Sequence, residues 1–348
     1  MKKRIIISAC VLILLSLFLL LCSALVVPKY TGFKYREGRL VSEYYDEAGG
    51  HDVIFVGDCE VYEGFVPAAM WKSNGISSYV RGTPQQLVWQ SYYLLEETFR
   101  YEKPKAVVYN VLALKYGEPQ DEAMNRMTLD TMKWSSSKIN SIAASMTEEE
   151  SFVDYVFPLL RYHSRITSLE ADDFKYAFKS PERVSDSGYL MQTDIVPMDD
   201  AIKDQMGEPL YDYTLPKSSM DYLEEMRLLC EENGAELILV KAPTNSPIYW
   251  WYDEWEERIV EYAEEKNLSY YNLIPKSEEM GIDWKTDSYD GGVHLNVYGA
   301  EKLSVYFADI LVKYHGISDR RADATEAARW STRVSTYEKR KTEMEGSK

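Results

Sequence analysis

Two residues of this chain, Cys59 and His294, have the chemistry of a nucleophile and its base. Cys59 lies in "DVIFVGDCEVYEGF", where an apolar run ends in a tight turn. A thiol attacks well only as a thiolate, so it needs a base or a positive potential beside it. Histidine is the most economical base. The residue types predict nucleophilic catalysis if the fold brings the two together, whereas a small residue packed at a strand end is the structural alternative.

Of the four histidines, only His294 has the surroundings expected of a catalytic base. It lies in "DSYDGGVHLNVYG", a glycine-containing loop ahead of a helix, and Asp290 precedes it by four residues. A carboxylate so close can hold the imidazole tautomer and stabilise its charged form. Asp287 is a fallback acid at longer range. Such spacing is common in loops and leaves a structural role open. The other histidines are interpreted as structural: His51, His163 and His315.

Strand and helix signals alternate around these residues. Short apolar runs predict buried parallel strands at "DVIFVG", "ISSYVRG", "KAVVYNVLAL", "AELILVKAP" and "LSYYNL". Amphipathic segments between them predict helices. The alternation predicts an α/β fold, a doubly wound, mainly parallel three-layer sandwich, in which ligands bind beyond the carboxyl ends of the strands. Cys59 follows the first strand at that end.

Capping residues locate two of the helices. One is predicted to begin at Thr83 as N-cap, with Pro84 in the first helical position and Gln86 completing a capping box. The other is predicted to begin after Asn296 and to end at Gly316. The second places His294 just before a helix.

The chain is predicted to begin with a membrane anchor. "MKKR" is followed by an uncharged apolar run, residues 5–27, which as a helix would be about 34 Å long and would cross a hydrocarbon core of about 30 Å. A cleaved signal peptide usually has a shorter apolar region. The basic residues place the N-terminus in the cytoplasm and the rest outside. A lipoprotein alternative at Cys22 is disfavoured because Leu21 precedes it.

The domain organisation predicted from these patterns has four parts. They are a basic end and transmembrane signal anchor (1–27), a lead-in (28–50), an α/β domain (51–316) with a mostly helical insertion (116–217), and a polar charged tail (317–348) that is either helical or loose.

Charge and cysteine content exclude several function classes. The net charge of −17 repels nucleic-acid backbones. No pair of His or Cys has metal-ligand spacing, and no glycine-rich phosphate loop is present, so no cofactor is predicted. Two cysteines outside the anchor, Cys59 and Cys230, are too few for a disulfide framework. Cys230 fits the apolar face of a helix as a buried thiol, although a Cys59–Cys230 disulfide, which would remove the nucleophile, stays open.

Two blocks, "FVGDCEVYEGF" and "DGGVHLNVYGAEKLS", resemble the first and last blocks of the SGNH/GDSL hydrolase superfamily. The resemblance covers about 52–115 and 219–314 and implies a flavodoxin-like fold. It implies that Cys59 stands where the family has its serine, with His294 as base and Asp290 as its orienting acid. Two departures are the cysteine itself and the four-residue spacing, since the family's acid lies three residues before its histidine.

The same resemblance assigns roles around the nucleophile. It implies that Gly57 permits a close approach in the turn, that Asp58 is the turn partner of the nucleophile, and that backbone N–H groups of Cys59 and Gly82 form an oxyanion hole. Asn110 is the third oxyanion donor it suggests, although the family's Gly-x-Asn block is not recognisable there.

The anchored layout is similar to SGNH-like proteins of alginate O-acetylation and lipoteichoic acid D-alanylation. This implies an extracytoplasmic esterase or O-acyltransferase acting on acyl esters of cell-envelope glycans, with a membrane-bound acyltransferase and an acylated polysaccharide as partners. The alternative is a non-catalytic scaffold or glycan-binding partner of such an acyltransferase. Trp250 and Trp251 are a possible substrate rim, because aromatic rings stack on sugars, but they can equally pack against the insertion or the membrane surface.

Overall fold

The computed structural model describes residues 2–31, 35–198, 212–245 and 252–346. The chain divides into two compact units. The first consists of Met1–Arg36 and Met146–Arg183, and the second of Glu37–Ser145 and Val184–Lys348. The predicted insertion at 116–217 is therefore distributed over both units, with only its middle part in the first.

A parallel sheet of five strands forms the centre of the second unit, so the predicted α/β class is confirmed. The strands are β1 (Val53–Gly57), β2 (Ser78–Gly82), β3 (Ala106–Asn110), β4 (Glu236–Lys241) and β5 (Ser269–Asn272). Their order across the sheet is β2-β1-β3-β4-β5, and every neighbouring pair is parallel. Strands β1, β2 and β3 are buried along their whole length, which explains their continuous apolar sequences.

Helices cover both faces of the sheet. Successive strand residues point to opposite faces, so Phe55 packs in one core with Phe307, whereas Ile54 packs in another core with Leu95. The helices of the second unit are α2 (Leu40–Tyr44), α3 (Cys59–Tyr62), α4 (Pro67–Asn74), α5 (Val88–Tyr101), α6 (Glu122–Leu129), α7 (Ser136–Ser145), α11 (Lys217–Asn233), α12 (Tyr252–Lys266), α13 (Val297–His315) and α14 (Ala324–Gly346). Helices α4, α13 and α14 contribute to the Phe55 core, and α5, α11 and α12 to the Ile54 core.

The predicted start of α5 at Thr83 is wrong. The helix begins at Val88, and Gln85 has a φ of +49°, which a helical residue does not adopt. Thr83 is buried in the preceding turn and donates to the side chain of Gln86 at 2.9 Å. Gln90 supplies the capping instead, because its side chain accepts from the backbone N–H of Leu87 at 3.0 Å.

The predicted limits of α13 are confirmed. The Asn296 side chain accepts from the backbone N–H groups of Tyr298 and Gly299 at 3.1 and 3.3 Å. Gly316 ends the helix with a φ of +63°, a conformation that favours glycine. The local capping chemistry thus fixes the loop that carries His294.

The tail is helical and packed, not loose. Trp330, Tyr337 and Met344 lie seven residues apart, so they share one face of α14. Trp330 is fully buried and stacks on Trp71 of α4, with ring centroids 5.3 Å apart and an interplanar angle of 10°. Helix α14 is therefore part of the α/β core.

In the first unit, α1 (Lys2–Val26) is long and apolar enough to span a membrane. Three further short helices belong to this unit: α8 (Phe152–Val156), α9 (Pro158–Tyr162) and α10 (Ala171–Lys175). Helices α9 and α10 pack against α1.

Candidate active site

Cys59 lies at the carboxyl end of β1, as the first residue of α3. The preceding Asp58 is the N-cap of this helix, and its side chain accepts from the N–H of Glu60 at 3.2 Å. The first N–H groups of a helix have no acceptor within the helix. The turn thus places a partly exposed thiol beside the start of a helix.

The loop before α13 brings His294 and Asp290 to this thiol. Nε2 of His294 lies 2.9 Å from Sγ of Cys59, and Nδ1 lies 2.6 Å from Oδ2 of Asp290. The other carboxylate oxygen of Asp290 accepts the backbone N–H of His294 at 2.8 Å. Because Asp290 binds both the ring and the backbone of His294, it fixes the imidazole with Nε2 facing the sulfur. Asp290, four residues before His294, makes both of these contacts, and Asp287 makes neither.

The electrostatics of this group keep the Cys59 thiol protonated at rest and stabilise a proton on His294 once a thiolate has formed. Burial raises the pKa of the Cys59 thiol to about 11, while His294 acts to lower it. Burial opposes protonation of His294, but the charge of a Cys59 thiolate and the bond to Asp290 hold its pKa well above 6.5. The resting thiol is therefore protonated, and the pair stabilises the transferred proton on His294.

A second carboxylate, Glu63, lies next to the histidine. Its Oε2 is 3.9 Å from Nδ1 of His294, and the hydroxyl of Tyr289 donates to both of its oxygens at 2.9 Å. The ring of Tyr289 stacks on that of His294 with centroids 6.1 Å apart. Burial raises the pKa of Glu63 to about 7, although His294, Tyr289 and Gln192 favour its charged form. A cavity of about 10 Å³, room for roughly one water molecule, is bordered by Glu63 and His294.

A buried polar network lies beside Cys59. Lys241 donates to both carboxylate oxygens of Glu60 at 2.7 and 2.8 Å, and both side chains are almost fully buried. The amide nitrogen of Asn110 donates to Glu60 at 2.9 Å and to Asp58 at 3.2 Å. Burial, followed by the charge of Glu60, raises the pKa of Asp58 to about 7, against the lowering effect of Lys241.

Asn110, the third oxyanion donor suggested by the resemblance, has all of its side-chain polar groups bonded within this network. Its two amide hydrogens bond to the carboxylates of Asp58 and Glu60, and its oxygen accepts the N–H of Ala242 at 3.1 Å. The side chain is fully buried. In this structure Asn110 therefore links β3 to the turn between β1 and α3, with both amide hydrogens bonded to carboxylates.

Two glycines allow α3 to pack closely on the ends of β1 and β2. Gly57 and Gly82 are paired in register at the ends of β1 and β2. A Cβ on Gly57 would lie 2.6 Å from Cγ2 of Val61, and a Cβ on Gly82 would lie 3.0 Å from Cβ of Tyr62. Because Val61 and Tyr62 belong to α3, both glycines determine how closely the helix that begins with Cys59 packs on the sheet.

The remaining predicted residues have structural partners or lie outside the described part of the chain. Asp287 is buried, accepts from Lys302 at 2.6 Å and caps the turn at Asp283. Trp250 and Trp251 lie outside the described residues. The three other histidines have partners of their own, namely Glu102 for His51, the carbonyl of Leu160 for His163, and Glu236 with Tyr271 for His315.

The alternative of a Cys59–Cys230 disulfide is wrong. Both cysteines are free. Cys230 is buried in the core formed by α5, α11 and α12, whereas Cys59 packs against the core on the opposite face of the sheet. The five-stranded sheet therefore lies between the two thiols.

Comparison with known protein sequences identifies no family for this chain. No protein-family model matches the chain, and no curated protein matches it. The function assigned to the site therefore depends on its geometry and on the two resembling sequence blocks.

Four site residues were not recognised in the sequence: Glu60, Glu63, Lys241 and Tyr289. One of them carried a signal, because Lys241 ends the apolar run "ELILVK" of a buried strand. A buried lysine needs a charged or hydrogen-bonding partner. The sequence did not identify that partner, since Glu60 is 181 positions away.

Proposed function

We propose that the second unit is an SGNH-like acyl-transfer domain with Cys59 as nucleophile, His294 as base and Asp290 as the residue that orients the base. The observation that carries this proposal is the continuous contact from sulfur to imidazole to carboxylate, at 2.9 and 2.6 Å. The strand order supports it, because 2-1-3-4-5 is the order of flavodoxin-like sheets. Cys59 also follows β1, next to the point where the strand order reverses, which is where such folds bind ligands.

The reaction follows from the hydrogen-bond directions. Nε2 of His294 takes the thiol proton while Sγ of Cys59 forms a bond to the carbonyl carbon of an acyl ester. The tetrahedral intermediate collapses, the C–O bond breaks, and the leaving alcohol takes the proton from Nε2, which leaves a thioester on Cys59. A water or sugar hydroxyl then gives its proton to His294 and attacks the thioester, and the sulfur leaves and regains that proton. Asp290 stabilises the imidazolium in both steps.

Backbone amides are the proposed oxyanion donors. The N–H of Cys59 is at the first position of α3, and Gly82 ends the neighbouring strand. Removing one such donor from an acyl-transfer enzyme typically costs 10²–10³ in turnover, or about 3 kcal/mol. Because the Asn110 amide is bonded to Asp58 and Glu60, the proposed oxyanion hole has two donors, the backbone N–H groups of Cys59 and Gly82.

The anchor and the resemblance support a cell-envelope substrate. In this proposal α1 crosses the membrane with its basic end in the cytoplasm, and the α/β unit acts outside on acyl esters of surface glycans. If water is the acceptor the protein is an esterase, and if a glycan hydroxyl is the acceptor it is an O-acyltransferase that would receive acyl groups through a membrane-bound acyltransferase.

The test is acyl release from an activated ester by the detergent-solubilised full chain. Cys59→Ala and His294→Ala are expected to lower the rate by at least 10³-fold. Cys230→Ala is the matched control, because it removes a buried thiol on the other face of the sheet. Equal rates in wild type, Cys59→Ala and His294→Ala would overturn the catalytic proposal. Adding a glycan acceptor then distinguishes hydrolysis from transfer by whether acylated glycan accumulates.

One observation favours the second candidate, a non-catalytic scaffold that binds glycan or a membrane partner. The pKa of Cys59 is raised to about 11, so the thiol is not ionised in advance as in many cysteine enzymes. A scaffold predicts that Cys59 resists alkylation in the folded protein and that binding of the partner survives Cys59→Ala. Ester turnover that depends on Cys59 would exclude it.

A further inference from the structure

We propose that residues 152–178 of the first unit lie in the outer interface of the membrane that α1 spans, with their exposed apolar side chains inserted at the boundary between headgroups and acyl chains. This inference is independent of acyl transfer and rests only on α1 as the span. It concerns how the first unit meets the bilayer.

The short helices pack against α1 only near its outer end, beyond Leu21. All described side chains up to Leu21 are exposed, those of Cys22–Leu25 are partly covered, and Val26 is fully buried. At about 1.5 Å per residue, a hydrocarbon core of about 30 Å that begins at Ile5 ends near Ala24. The packing of α9 and α10 on α1 therefore begins where the span leaves the hydrocarbon.

Two cations mark the polar boundary at this end of the helix. Lys29 donates to the carbonyl oxygens of Ala24 and Val27 at 2.6 and 2.5 Å, and Arg165 donates to that of Val26 at 2.5 Å. Arg165 also pairs with Asp173 of α10 at 3.0 Å. Cations favour the carboxyl end of a helix and the headgroup region. Arg165 and Asp173 thus join the short helices to the end of the span at headgroup level.

The short helices expose an unusual number of large apolar side chains. Seven of them between residues 152 and 178 are 40 to 78 % exposed: Val153, Val156, Phe157, Leu160, Ile166, Phe174 and Phe178. Exposed apolar residues in such density mark an interaction surface. Helices α9 and α10, which carry Leu160 and Phe174 of this set, pack on α1 where the span ends, so the bilayer is the occupant that their position favours over a protein.

Apolar insertion, rather than charge, supplies the attraction. Residues 146–183 contain eight acidic and five basic residues, so an anionic lipid surface would repel the segment slightly. Binding is therefore expected in zwitterionic bilayers as well as in anionic ones.

Photolabelling by lipids tests this placement. The full chain is reconstituted into phosphatidylcholine vesicles that contain phosphatidylcholine with a diazirine either near the ester carbonyl or at the end of the acyl chain, and the adducts are mapped by mass spectrometry. We expect the carbonyl-proximal probe to label residues 152–178 at least fivefold more than the chain-end probe does, and the chain-end probe to label the middle of α1.

Matched variants separate insertion from incidental labelling. Phe157→Ser combined with Phe178→Ser is expected to lower adducts in 152–178 at least threefold and to leave α1 labelling unchanged. Leu228→Ser, which removes an exposed apolar side chain from α11, is expected to change neither. If wild-type α1 is labelled and 152–178 is not, the proposal is overturned and the surface is assigned to a protein partner. Absence of labelling in α1 would overturn it as well, because its premise fails.

Discussion

Lys241, at the end of β4, forms a buried ion pair with Glu60, the residue that follows Cys59. The pair joins helix α3, which begins with Cys59, to β4, and Asn110 of the intervening strand β3 also bonds to Glu60. The position of the sulfur therefore depends on a charge contact in the core as well as on the turn in which it lies.

Lys241→Met is expected to lower the free energy of unfolding by about 3–5 kcal/mol, because it leaves Glu60 buried without its counter-charge. Lys241→Met combined with Glu60→Gln should lose less, since no uncompensated charge remains. Chemical denaturation of the solubilised chain measures both. Lys276→Met breaks the exposed pair with Glu279 and is the control, with an expected loss below about 1 kcal/mol. A double variant as unstable as the single one would contradict the charge argument.

Glu63→Gln is expected to stabilise the protein at pH 8 and to have little effect near pH 4.5. Burial raises the pKa of Glu63 from 4.5 to about 7 in the folded state, so the folded protein binds a proton that the unfolded chain releases. This proton's contribution to stability is complete below pH 4.5 and is lost as pH rises through 7. The maximum gain at pH 8 is about 3 kcal/mol.

Thermal unfolding at the two pH values checks this effect. Glu264→Gln, on the exposed face of α12, is the control and should leave the pH dependence unchanged. An equal shift of Glu63→Gln at both pH values would show that the substitution changes packing and not protonation.

Alkylation of Cys59 is expected to accelerate with pH beyond the range of an ordinary thiol. With a pKa near 11, the thiolate fraction grows about tenfold per unit through pH 9.5, whereas a free cysteine derivative levels off near its own pKa. His294→Gln removes a group that lowers this pKa, so its rate at pH 8 should fall. Peptide mapping by mass spectrometry identifies the modified residue. A plateau below pH 8 would instead indicate an ion pair already formed at rest.

Gly82→Ala is expected to reduce both stability and ester turnover. The new Cβ would lie 3.0 Å from Cβ of Tyr62 and 3.1 Å from the carbonyl oxygen of Gly57, so α3 must shift. Overpacking of this kind costs about 1–3 kcal/mol, and a shift of the sulfur should lower turnover at least tenfold. Gly346→Ala, which meets no atom within 4 Å, is the control. Unchanged turnover in Gly82→Ala would show that this contact does not position Cys59.

Trp330→Ala is expected to cost about 3–5 kcal/mol, as for other large aromatic residues removed from a core. It removes the stack on Trp71 and the hydrogen bond from the indole nitrogen to Ser77 at 3.1 Å. Denaturant titration measures the loss, and Ser335→Ala on the exposed face of α14 serves as control. A loss of unfolding free energy below about 1 kcal/mol would show that the packing of Trp330 contributes little to stability.

Local signals in the sequence were sufficient for much of the fold. Five apolar runs predicted the five strands, and the capping residues Asn296 and Gly316 predicted both ends of α13. The contact between Asp290 and His294 was also predictable, because the two residues are four positions apart in one loop. These features depend on neighbouring residues, which a sequence displays directly.

Features that depend on distant residues could not be predicted in this way. Thr83 and Gln86 matched a capping box, but Thr83 is buried in a turn where its hydroxyl also contacts that of Thr128, 45 positions away, and Gln85 there has a φ of +49°. The partner of Lys241 is far away in the chain. The apolar residues of α14 are few and lie among many charged residues, so the sequence of the tail resembles that of a solvent-exposed segment. The packing of Trp330 on Trp71 of α4 depends on residues far apart in the chain.

The position of α14 has a consequence for biosynthesis. The side chains of α14 that complete one face of the sheet leave the ribosome after all five strands, so the nascent chain carries an uncovered apolar layer until α14 has emerged. A chain shortened by a premature stop codon before Trp330 would keep that layer exposed, and it would be a substrate for proteolysis or aggregation even though every residue of the Cys59–His294–Asp290 group had been made.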